Sequence, residues 1–266
     1  MKYIIDHDFH IHSELSSCSS DPEQNTESIL RYAESVGLKK ICLTDHYWDE
    51  SVEGASAWYA KQNTDHIKKA LPLPKSDKVD FLFGCETDMN SSLTLGISKK
   101  MLDELDFIII STTHLHMSGF TIPEDFVDTP KGRAERWVKR LDALLAMDLP
   151  FKKIGIAHLA CFLINRNSGE DYLKTLELIP EAEMVRIFTK AADLGVGIEL
   201  NLSDMSFEYG GEDTVLRMFR IAKACGCKFY LGSDSHHPNE FDGMREIFET
   251  AIEKLGLTEE DKFIIV

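Results

Sequence analysis

Histidine and carboxylate residues follow most of the short apolar runs in this chain of 266 residues. They occur in the segments Asp8–His12, Asp45–His46, Glu86–Asp88, Thr113–His114, Ala157–His158 and Asp234–His237. Imidazole and carboxylate groups are the usual protein ligands of Zn, Mn and Fe. A carboxylate such as that of Glu86 also has two oxygens with which it can bridge two ions. These residue types therefore predict a metal centre.

Seven short apolar runs predict the strands that position these groups. They are Tyr3–Phe9, Lys40–Thr44, Phe81–Cys85, Phe107–Ser111, Ile154–Ala157, Val196–Leu200 and Phe229–Gly232. Most are continuous rather than alternating, as in parallel strands covered on both faces. Helices are predicted over Thr26–Ser35, Arg133–Met147, Glu181–Leu194, Asp213–Ala224 and Asn239–Lys254, with Gly37, Gly195, Gly226 and Gly256 at their C-caps. The alternation predicts an α/β fold of repeated βα units.

The carboxyl ends of parallel strands lie at one end of such a fold, so groups from distant sequence positions converge there. Residues i and i+2 of a strand project in the same direction. This spacing lets His10 and His12 bind one ion together, and it lets Asp234 and His236 face the same centre.

The remaining polar residues near the strand ends have less specific predictions. The sixth run ends in Glu199-Leu200-Asn201 and has no histidine at this position. Asp8 and Asp45 adjoin candidate ligands, where they either hold imidazole N–H groups or cap strand ends. Four other histidines, His7, His66, His116 and His237, are not expected to be ligands. Of these, His116 and His237 are the best candidates to contact a substrate.

Composition limits the classes of partner. The chain has 29 Lys and Arg against 45 Asp and Glu, which gives a formal charge of −16. This balance disfavours long nucleic acids, whose binding depends on Lys and Arg, but it leaves open a small phosphorylated substrate held by metal ions. No run approaches the roughly 18–20 uncharged apolar residues of a membrane span, and no signal peptide is indicated. The six scattered cysteines are expected to be reduced thiols, which indicates a cytoplasmic protein. We predict a single domain over residues 1–266 that binds no membrane.

Two polar stretches, Tyr47–Asp80 and Met117–Lys131, interrupt the alternation after strand ends, where a barrel keeps its functional loops. Trp48 and Trp58 in the first stretch are expected either to form a lid over a ring or to close a small satellite core. Three arginines share one face of the helix after the second stretch, at positions Arg133, Arg136 and Arg140. For these arginines a solvated face is favoured over contact with a phosphate.

Six segments contain the motifs of the PHP (polymerase and histidinol phosphatase) family, in the order of that family. They are Asp8-Phe9-His10-Ile11-His12-Ser13, Thr44-Asp45-His46, Gly84-Cys85-Glu86, Thr113-His114, Ala157-His158 and Ser233-Asp234-Ser235-His236. The chain thus resembles the PHP family from residue 8 to residue 237. The resemblance implies a distorted (βα)7 TIM-like barrel with two or three divalent metal ions that hydrolyses phosphoesters.

The resemblance also implies a ligand set. The ligands would be His10, His12, Glu86 and Asp234 for a first ion, Glu86, His114 and His158 for a second, and His46 with His236 for a third. Histidinol phosphatases of this kind usually supply another third-metal ligand, often His, six residues after the second His of the first motif. Cys18 occupies that position here. Either Cys18 as a thiolate or Asp21 would complete the third site, unless the segment is only a polar loop.

The leading prediction for function is hydrolysis of a small phosphomonoester, such as histidinol phosphate, by metal-activated water without a side-chain nucleophile. A nuclease or nucleoside-phosphate phosphoesterase is an alternative, because PHP proteins also act on nucleic acid ends. A metal-binding regulatory or structural domain without activity is another. The last alternative is an amidohydrolase, whose barrel also begins with His-x-His but commonly uses a bridging lysine. Here Glu86 ends the third predicted strand, while Lys99 and Lys100 precede the fourth.

Overall fold

Parallel β-strands form the centre of the computed structural model, which describes residues 1–19, 21–241 and 243–265. The strands are β1 His7–Ile11, β2 Lys40–Leu43, β3 His46–Tyr47, β4 Asp80–Asp88, β5 Phe107–Ser111, β6 Ile154–Ile156, β7 Gly197–Asn201 and β8 Lys228–Gly232. They pair in parallel in the order β1-β2-β4-β5-β6-β7-β8, and the two-residue β3 pairs with the carboxyl half of β4. The seven predicted strands are therefore present.

The sheet is nearly closed into a barrel. A parallel bridge joins Ile11 of β1 to Ser235, just beyond β8. The backbone N–H of His12 donates to the Ser235 carbonyl at 3.0 Å, and that of Asp234 donates to the His10 carbonyl at 2.7 Å. These bonds join the first and last strands at their carboxyl ends, and they confirm the predicted α/β barrel of seven parallel strands.

Two apolar layers lie on opposite sides of the strands because successive side chains point to opposite faces. In β5, Phe107 and Ile109 belong to a small inner cluster, whereas Ile108 and Ile110 belong to the large cluster that includes the helices. Tyr230 of β8 also lies in the inner cluster, and a Cβ on Gly155 would overlap its ring. The absence of a side chain at residue 155 therefore makes room for Tyr230 inside the barrel.

The helices connect the strands. They are α1 Thr26–Val36, α2 Thr64–Ile67, α3 Lys99–Glu104, α4 Pro130–Leu145, α5 Gly169–Leu178, α6 Glu181–Leu194, α7 Leu202–Ser206, α8 Glu212–Ala224 and α9 Met244–Leu255. Short 3-10 turns lie at Tyr59–Lys61, Lys68–Ala70, Phe151–Lys153, Phe162–Ile164, Pro238–Phe241 and Glu259–Asp261. None of the helices in the described ranges combines the length and the apolar character needed to cross a membrane.

The helix predictions are correct where the apolar period is long. The sequence analysis missed α2, α3, α5 and α7; of these, α2, α3 and α7 have only 4, 6 and 5 residues, which is too short to show a helical period. The single helix predicted over Asn239–Lys254 is instead a 3-10 turn followed by α9. Asp242, within that prediction, lies outside the described residues, as does Ser20 in the loop around Cys18.

Two strand boundaries differ from the predictions in a way that affects the site. β1 begins at His7, four residues later than predicted. Tyr3 lies before the strand, and its hydroxyl donates to the Phe229 carbonyl at 2.7 Å. β4 continues three residues beyond Cys85 to Asp88. Its polar end concealed this extension, since Glu86 and its neighbours break the apolar run. His10 and Glu86 are therefore within strands rather than just past them.

The prediction of a solvated arginine face on α4 is wrong. The three arginines there, Arg133, Arg136 and Arg140, are only 4%, 6% and 0% exposed. Arg140 donates to the Asp88 carboxylate at 2.7 Å and to the Thr112 carbonyl at 2.7 Å. Arg133 donates to the carbonyls of two different loops, and Arg136 does the same. Backbone carbonyls and the Asp88 carboxylate accept from these guanidinium groups, although Nε of Arg136 is buried without a partner among the described residues. These contacts allow the three groups to be buried between the helix and the loops at the carboxyl end of the barrel.

Candidate metal centre

All eight predicted ligand residues lie together at the carboxyl end of the barrel. Three are in strands, namely His10 in β1, His46 in β3 and Glu86 in β4. The other five follow strands and are His12, His114, His158, Asp234 and His236. In the pairing of β3 with β4, His46 is directly opposite Glu86. The two-residue strand β3 thus positions a histidine that the sequence analysis placed just after the second predicted strand.

The first group of donor atoms contains His10, His12 and Asp234, whose ligand atoms lie within 4.8 Å of one another. The Nε2 atoms of the two histidines are 3.1 Å apart. Asp234 Oδ1 is 3.3 Å from Nε2 of His10 and 3.1 Å from Nε2 of His12. Glu86 Oε2 is 3.5 and 3.3 Å from the same two nitrogens. The four side chains therefore face one point, as the i, i+2 spacing predicts.

The second group contains Glu86, His114 and His158 and meets the same 4.8 Å limit. His158 Nε2 lies 3.1 Å from Glu86 Oε1. The rings of His114 and His158 are stacked with their centroids 4.6 Å apart. Glu86 therefore directs one oxygen to each group, which is the arrangement of a carboxylate that bridges two ions.

The third group contains His12, Cys18, His46 and His236. The rings of His12 and His236 are stacked at 4.2 Å. Since Nε2 of His12 has one lone pair, it binds a single ion and serves either the first group or this one. If His12 serves the first group, Cys18 and the two remaining histidines would supply three protein ligands to a third ion.

Asp21, the other residue considered for the third site, is not part of this group. Its carboxylate lies 3.5 Å from Nδ1 of His237 instead. Cys18 is an exposed residue as a whole, but its free thiol faces the donor group and the cavity. There, desolvation and the charges of Glu86 and Asp234 raise the pKa of the thiol. The geometry therefore favours Cys18 over Asp21 as the third-site residue.

The electrostatics of the centre favour a cation. Burial raises the pKa of Glu86, but the imidazoles of His46 and His10 outweigh it and hold the pKa well below its usual range. Burial lowers the pKa of His12 and of His158, yet contacts with Glu86, and with Asp234 in the case of His12, raise both to about 9. The buried carboxylates thus attract positive charge strongly.

Glu86 and His46 each have a buried side-chain atom without a hydrogen-bond partner, and these two atoms face each other. Glu86 Oε2 and His46 Nδ1 are 3.0 Å apart, but their geometry does not form a hydrogen bond. Leaving such atoms unpaired is costly unless another group satisfies them. Burial lowers the pKa of His46, which favours the neutral ring that binds metals. The donor set therefore fits divalent ions.

Glu199 orients two of the candidate ligands. Its Oε1 accepts a hydrogen bond from Nδ1 of His10 at 2.7 Å, and its Oε2 accepts from the backbone N–H of His158 at 2.6 Å. A Cβ on Gly232 would overlap both the Glu199 carboxylate and the His10 side chain, so the glycine permits this close approach. The sequence analysis noted that the Glu199 run lacks histidine, and it missed this role.

Asp88 and Asp45 support other ligands. Asp88 Oδ2 accepts from Nδ1 of His114 at 3.1 Å. Asp45 acts through Ser16, whose hydroxyl donates to Asp45 at 2.7 Å and accepts from Nδ1 of His12 at 2.9 Å. Such partners fix the ring orientation and the tautomer of a metal-binding histidine. The sequence signal that could have identified Asp88 is a carboxylate two residues after the candidate ligand Glu86, on the same face of the strand.

Asp8 caps the ends of strands. Its Oδ1 accepts from the backbone N–H groups of His10 at 3.2 Å and Ser233 at 3.0 Å. Of the two roles predicted for Asp8, the structure therefore shows the capping role. Asp8 joins β1 to the segment after β8 and so holds two ligand-bearing segments together.

The loop after β6 is strained where it presents its histidine. His158 has φ +26°, in the left-handed region that disfavours residues with a side chain. The Thr113 hydroxyl contacts Nδ1 of His158 at 2.8 Å and donates to the backbone carbonyl of His158 at 3.0 Å. Asp234 has φ +56°. Strain of this kind is maintained only where the surrounding contacts hold it, and it concentrates at functional sites.

The four other histidines are absent from the donor groups of the described residues. His7 Nε2 accepts from the Leu231 N–H at 3.1 Å, and His66 Nε2 donates to the Leu15 carbonyl at 2.7 Å. His116 lines the cavity above the centre. His237 contacts Asp21 and is not among the residues that line this cavity.

Comparison with known proteins agrees with this arrangement. The family model of the PHP domain matches residues 8–203. Probable phosphatases of Thermoanaerobacter sp. (strain X514) and Thermoanaerobacter pseudethanolicus are each 26% identical over 263 residues, which is 98% of this chain and 89% of theirs. The fold is similar to that of histidinol phosphate phosphatase from Lactococcus lactis, solved with zinc, L-histidinol and phosphate. That structure has a TM-score of 0.59 and 16% identity over 97% of this chain and 98% of its own. The chain therefore belongs to the PHP domain family.

Proposed function

We propose that this PHP-family chain, a metal-dependent phosphatase, hydrolyses a small phosphomonoester and that histidinol phosphate is the first substrate to test. The observation that carries the proposal is the convergence of three donor groups around Glu86 at the carboxyl end of the barrel. The phosphatase names of the Thermoanaerobacter relatives support the reaction class. The L-histidinol and phosphate bound to the Lactococcus protein support the choice of substrate.

The residues divide among two or three ions, for which Zn, Mn and Fe are the candidates. We assign His10, His12, Glu86 and Asp234 to a first ion, Glu86, His114 and His158 to a second, and Cys18, His46 and His236 to a third. Bound divalent ions would lower the pKa of water and neutralise the phosphoryl oxygens. Glu199, Asp88 and Ser16 hold the imidazoles in the required orientation.

The protein's own part in the reaction is to position the ions and the phosphoryl group. Phosphoryl transfer requires little covalent chemistry from side chains. Cys18 is the cysteine found in the donor groups of the described residues, and its raised pKa makes it a weak nucleophile unless a metal binds it. The formal charge of −16 also disfavours a long polyanionic substrate. A small monoester is the substrate class that fits these properties.

Phosphate release by the metal-loaded protein tests this proposal. The protein is stripped with a chelator, reloaded with Zn²⁺, Mn²⁺ or Fe²⁺, and supplied with histidinol phosphate, a nucleoside monophosphate or a short single-stranded oligonucleotide. We expect turnover of a monoester that chelation abolishes and metal restores. Faster degradation of the oligonucleotide than of either monoester would replace the phosphatase with a nuclease. A protein that binds metal but hydrolyses none of the three would refute the proposal.

A further inference from the structure

A cavity of about 490 Å³ opens above the metal centre. Its floor consists of candidate ligands, including Glu86, His114 and Asp234. Its wall is formed by the residues Trp58, Tyr59, His116, Met117 and Leu163. The volume lies within the roughly 300–1,000 Å³ typical of small-molecule sites. A phosphoryl group on the floor would therefore direct the rest of a substrate along this wall.

Apart from the His116 imidazole and the Tyr59 hydroxyl the wall is apolar, and it carries no ionic partner for a substrate. Among the described residues that line the cavity there is no lysine or arginine. Its carboxylates are Glu86 and Asp234, both of which belong to the donor groups. The Tyr59 hydroxyl donates to Asp88 at 3.4 Å. A charged leaving group would thus lose water at this wall without gaining a counter-charge, whereas an uncharged ring would bury apolar surface.

Trp58 is held in place before any substrate binds. Its ring contacts that of Tyr59 edge-on at 4.8 Å and that of the ligand His46 at 5.0 Å. Tyr59 is fully buried in a small cluster with Trp48 and Phe120. Of the two alternatives considered for the tryptophans, the satellite core is present, with Trp48 inside it and Trp58 packed against it. Trp58 also lines the cavity. An aromatic side chain fixed in this way loses little conformational entropy when a ring stacks on it.

We infer that this wall selects phosphomonoesters whose alcohol carries an aromatic or other uncharged ring, with Trp58, Met117 and Leu163 as the specificity-determining residues. The inference rests on the proposed phosphatase function and names the leaving group that the function leaves open. The metal centre holds the phosphoryl end, and the wall binds the ring of the alcohol. Histidinol combines such a ring with an ammonium group, so a ring without a charge is the more direct probe of the wall.

Two synthetic monoesters separate the contribution of the wall from that of the metal centre. 2-Phenylethyl phosphate and 2-aminoethyl phosphate are both esters of primary alcohols, and they differ in carrying a neutral ring or an ammonium group. We expect kcat/KM to favour the phenyl ester by about tenfold or more, because its ring makes an aromatic contact with Trp58 and buries apolar surface on the wall. Trp58→Ala should remove most of this preference by raising KM for the phenyl ester alone.

Control variants and a binding measurement decide the remaining outcomes. Tyr209→Ala removes an aromatic ring that is 41% exposed and does not line the cavity, so it should leave the preference unchanged. Trp58→Phe should restore part of it. Binding of non-hydrolysable 2-phenylethyl phosphonate to the metal-loaded protein, measured by calorimetry, should weaken in Trp58→Ala even if no ester turns over. Equal kcat/KM for the two esters, or unchanged phosphonate binding in Trp58→Ala, would overturn the inference. If the unsubstituted, metal-loaded protein binds the phosphonate but hydrolyses neither ester, the proposed function is refuted instead.

Discussion

His10 donates from Nδ1 to Oε1 of Glu199 over 2.7 Å, and both side chains are fully buried. Because an ionised carboxylate only accepts hydrogen bonds, this bond places the proton of a neutral His10 ring on Nδ1. Nε2 is then free to bind a metal, and it faces Asp234 and Glu86. Glu199 thus determines which nitrogen of His10 is available to the first ion.

Glu199→Gln should weaken metal binding while leaving all candidate ligands present. The amide can place its NH2 group against His10 Nδ1, which removes the acceptor and the negative charge that orient the ring. We expect the affinity for the first ion to fall by about 10- to 100-fold. Competition with a chromophoric chelator measures it. Glu253→Gln, a change at an exposed site on α9, is the matched control. An unchanged affinity in Glu199→Gln would show that Glu199 does not orient His10.

Glu86→Gln should remove at least one metal equivalent and most hydrolysis. The carboxylate directs Oε1 toward His158 of the second group and Oε2 toward His10 and His12 of the first, so it contributes to two donor groups. An amide keeps the shape but supplies one oxygen and no charge. Metal analysis of the purified variant and phosphate release measure the two effects, and circular dichroism checks the fold. Full metal content with full activity would refute the bridging role of Glu86.

The sequence was sufficient to predict the barrel and to name residues that the structure brings together at its carboxyl end. Apolar runs such as that of β5 form strands through local properties, and ligand types such as His10 and Glu86 are visible in the motifs themselves. The partners of these ligands were harder to identify. Glu199 contacts His10 across 189 residues of sequence, and the register that brings them together depends on closure of the barrel.

The error about the arginines of α4 has a different physical origin. Helical periodicity shows that Arg133 and Arg140 share a face, but it does not show what lies opposite that face. A charged face ordinarily points to solvent because burying an unpaired charge is costly. Here the facing loops present carbonyl groups and Asp88, which satisfy the guanidinium groups. Only the tertiary structure contains that information.

Cys18→Ser should weaken one metal selectively and leave the site of His10 and His12 filled. The thiol lies in the donor group with His46 and His236, and a hydroxyl is a much poorer ligand for Zn²⁺. In the unsubstituted protein, bound metal should slow alkylation of Cys18 until a chelator is added. Mass spectrometry locates the alkylated residue. Cys225 lies outside the donor groups and serves as the internal control. Equal alkylation of Cys18 with and without chelator would reduce it to a loop residue.

Arg140→Met should destabilise the fold strongly, although Arg140 contacts no candidate metal ligand directly. The substitution keeps much of the side-chain volume and removes the cation that pairs with the buried Asp88 carboxylate, which still accepts from His114. Breaking a buried ion pair by removing one partner costs about 3–5 kcal/mol in the free energy of unfolding. Arg186→Met is the matched control because Arg186 pairs with Asp142 at the surface, where such a pair contributes about 1 kcal/mol or less. Urea unfolding of the unsubstituted protein and of both variants measures the two changes in the free energy of unfolding. Similar losses of unfolding free energy in the two variants would mean that burial of the Arg140–Asp88 pair adds nothing to stability.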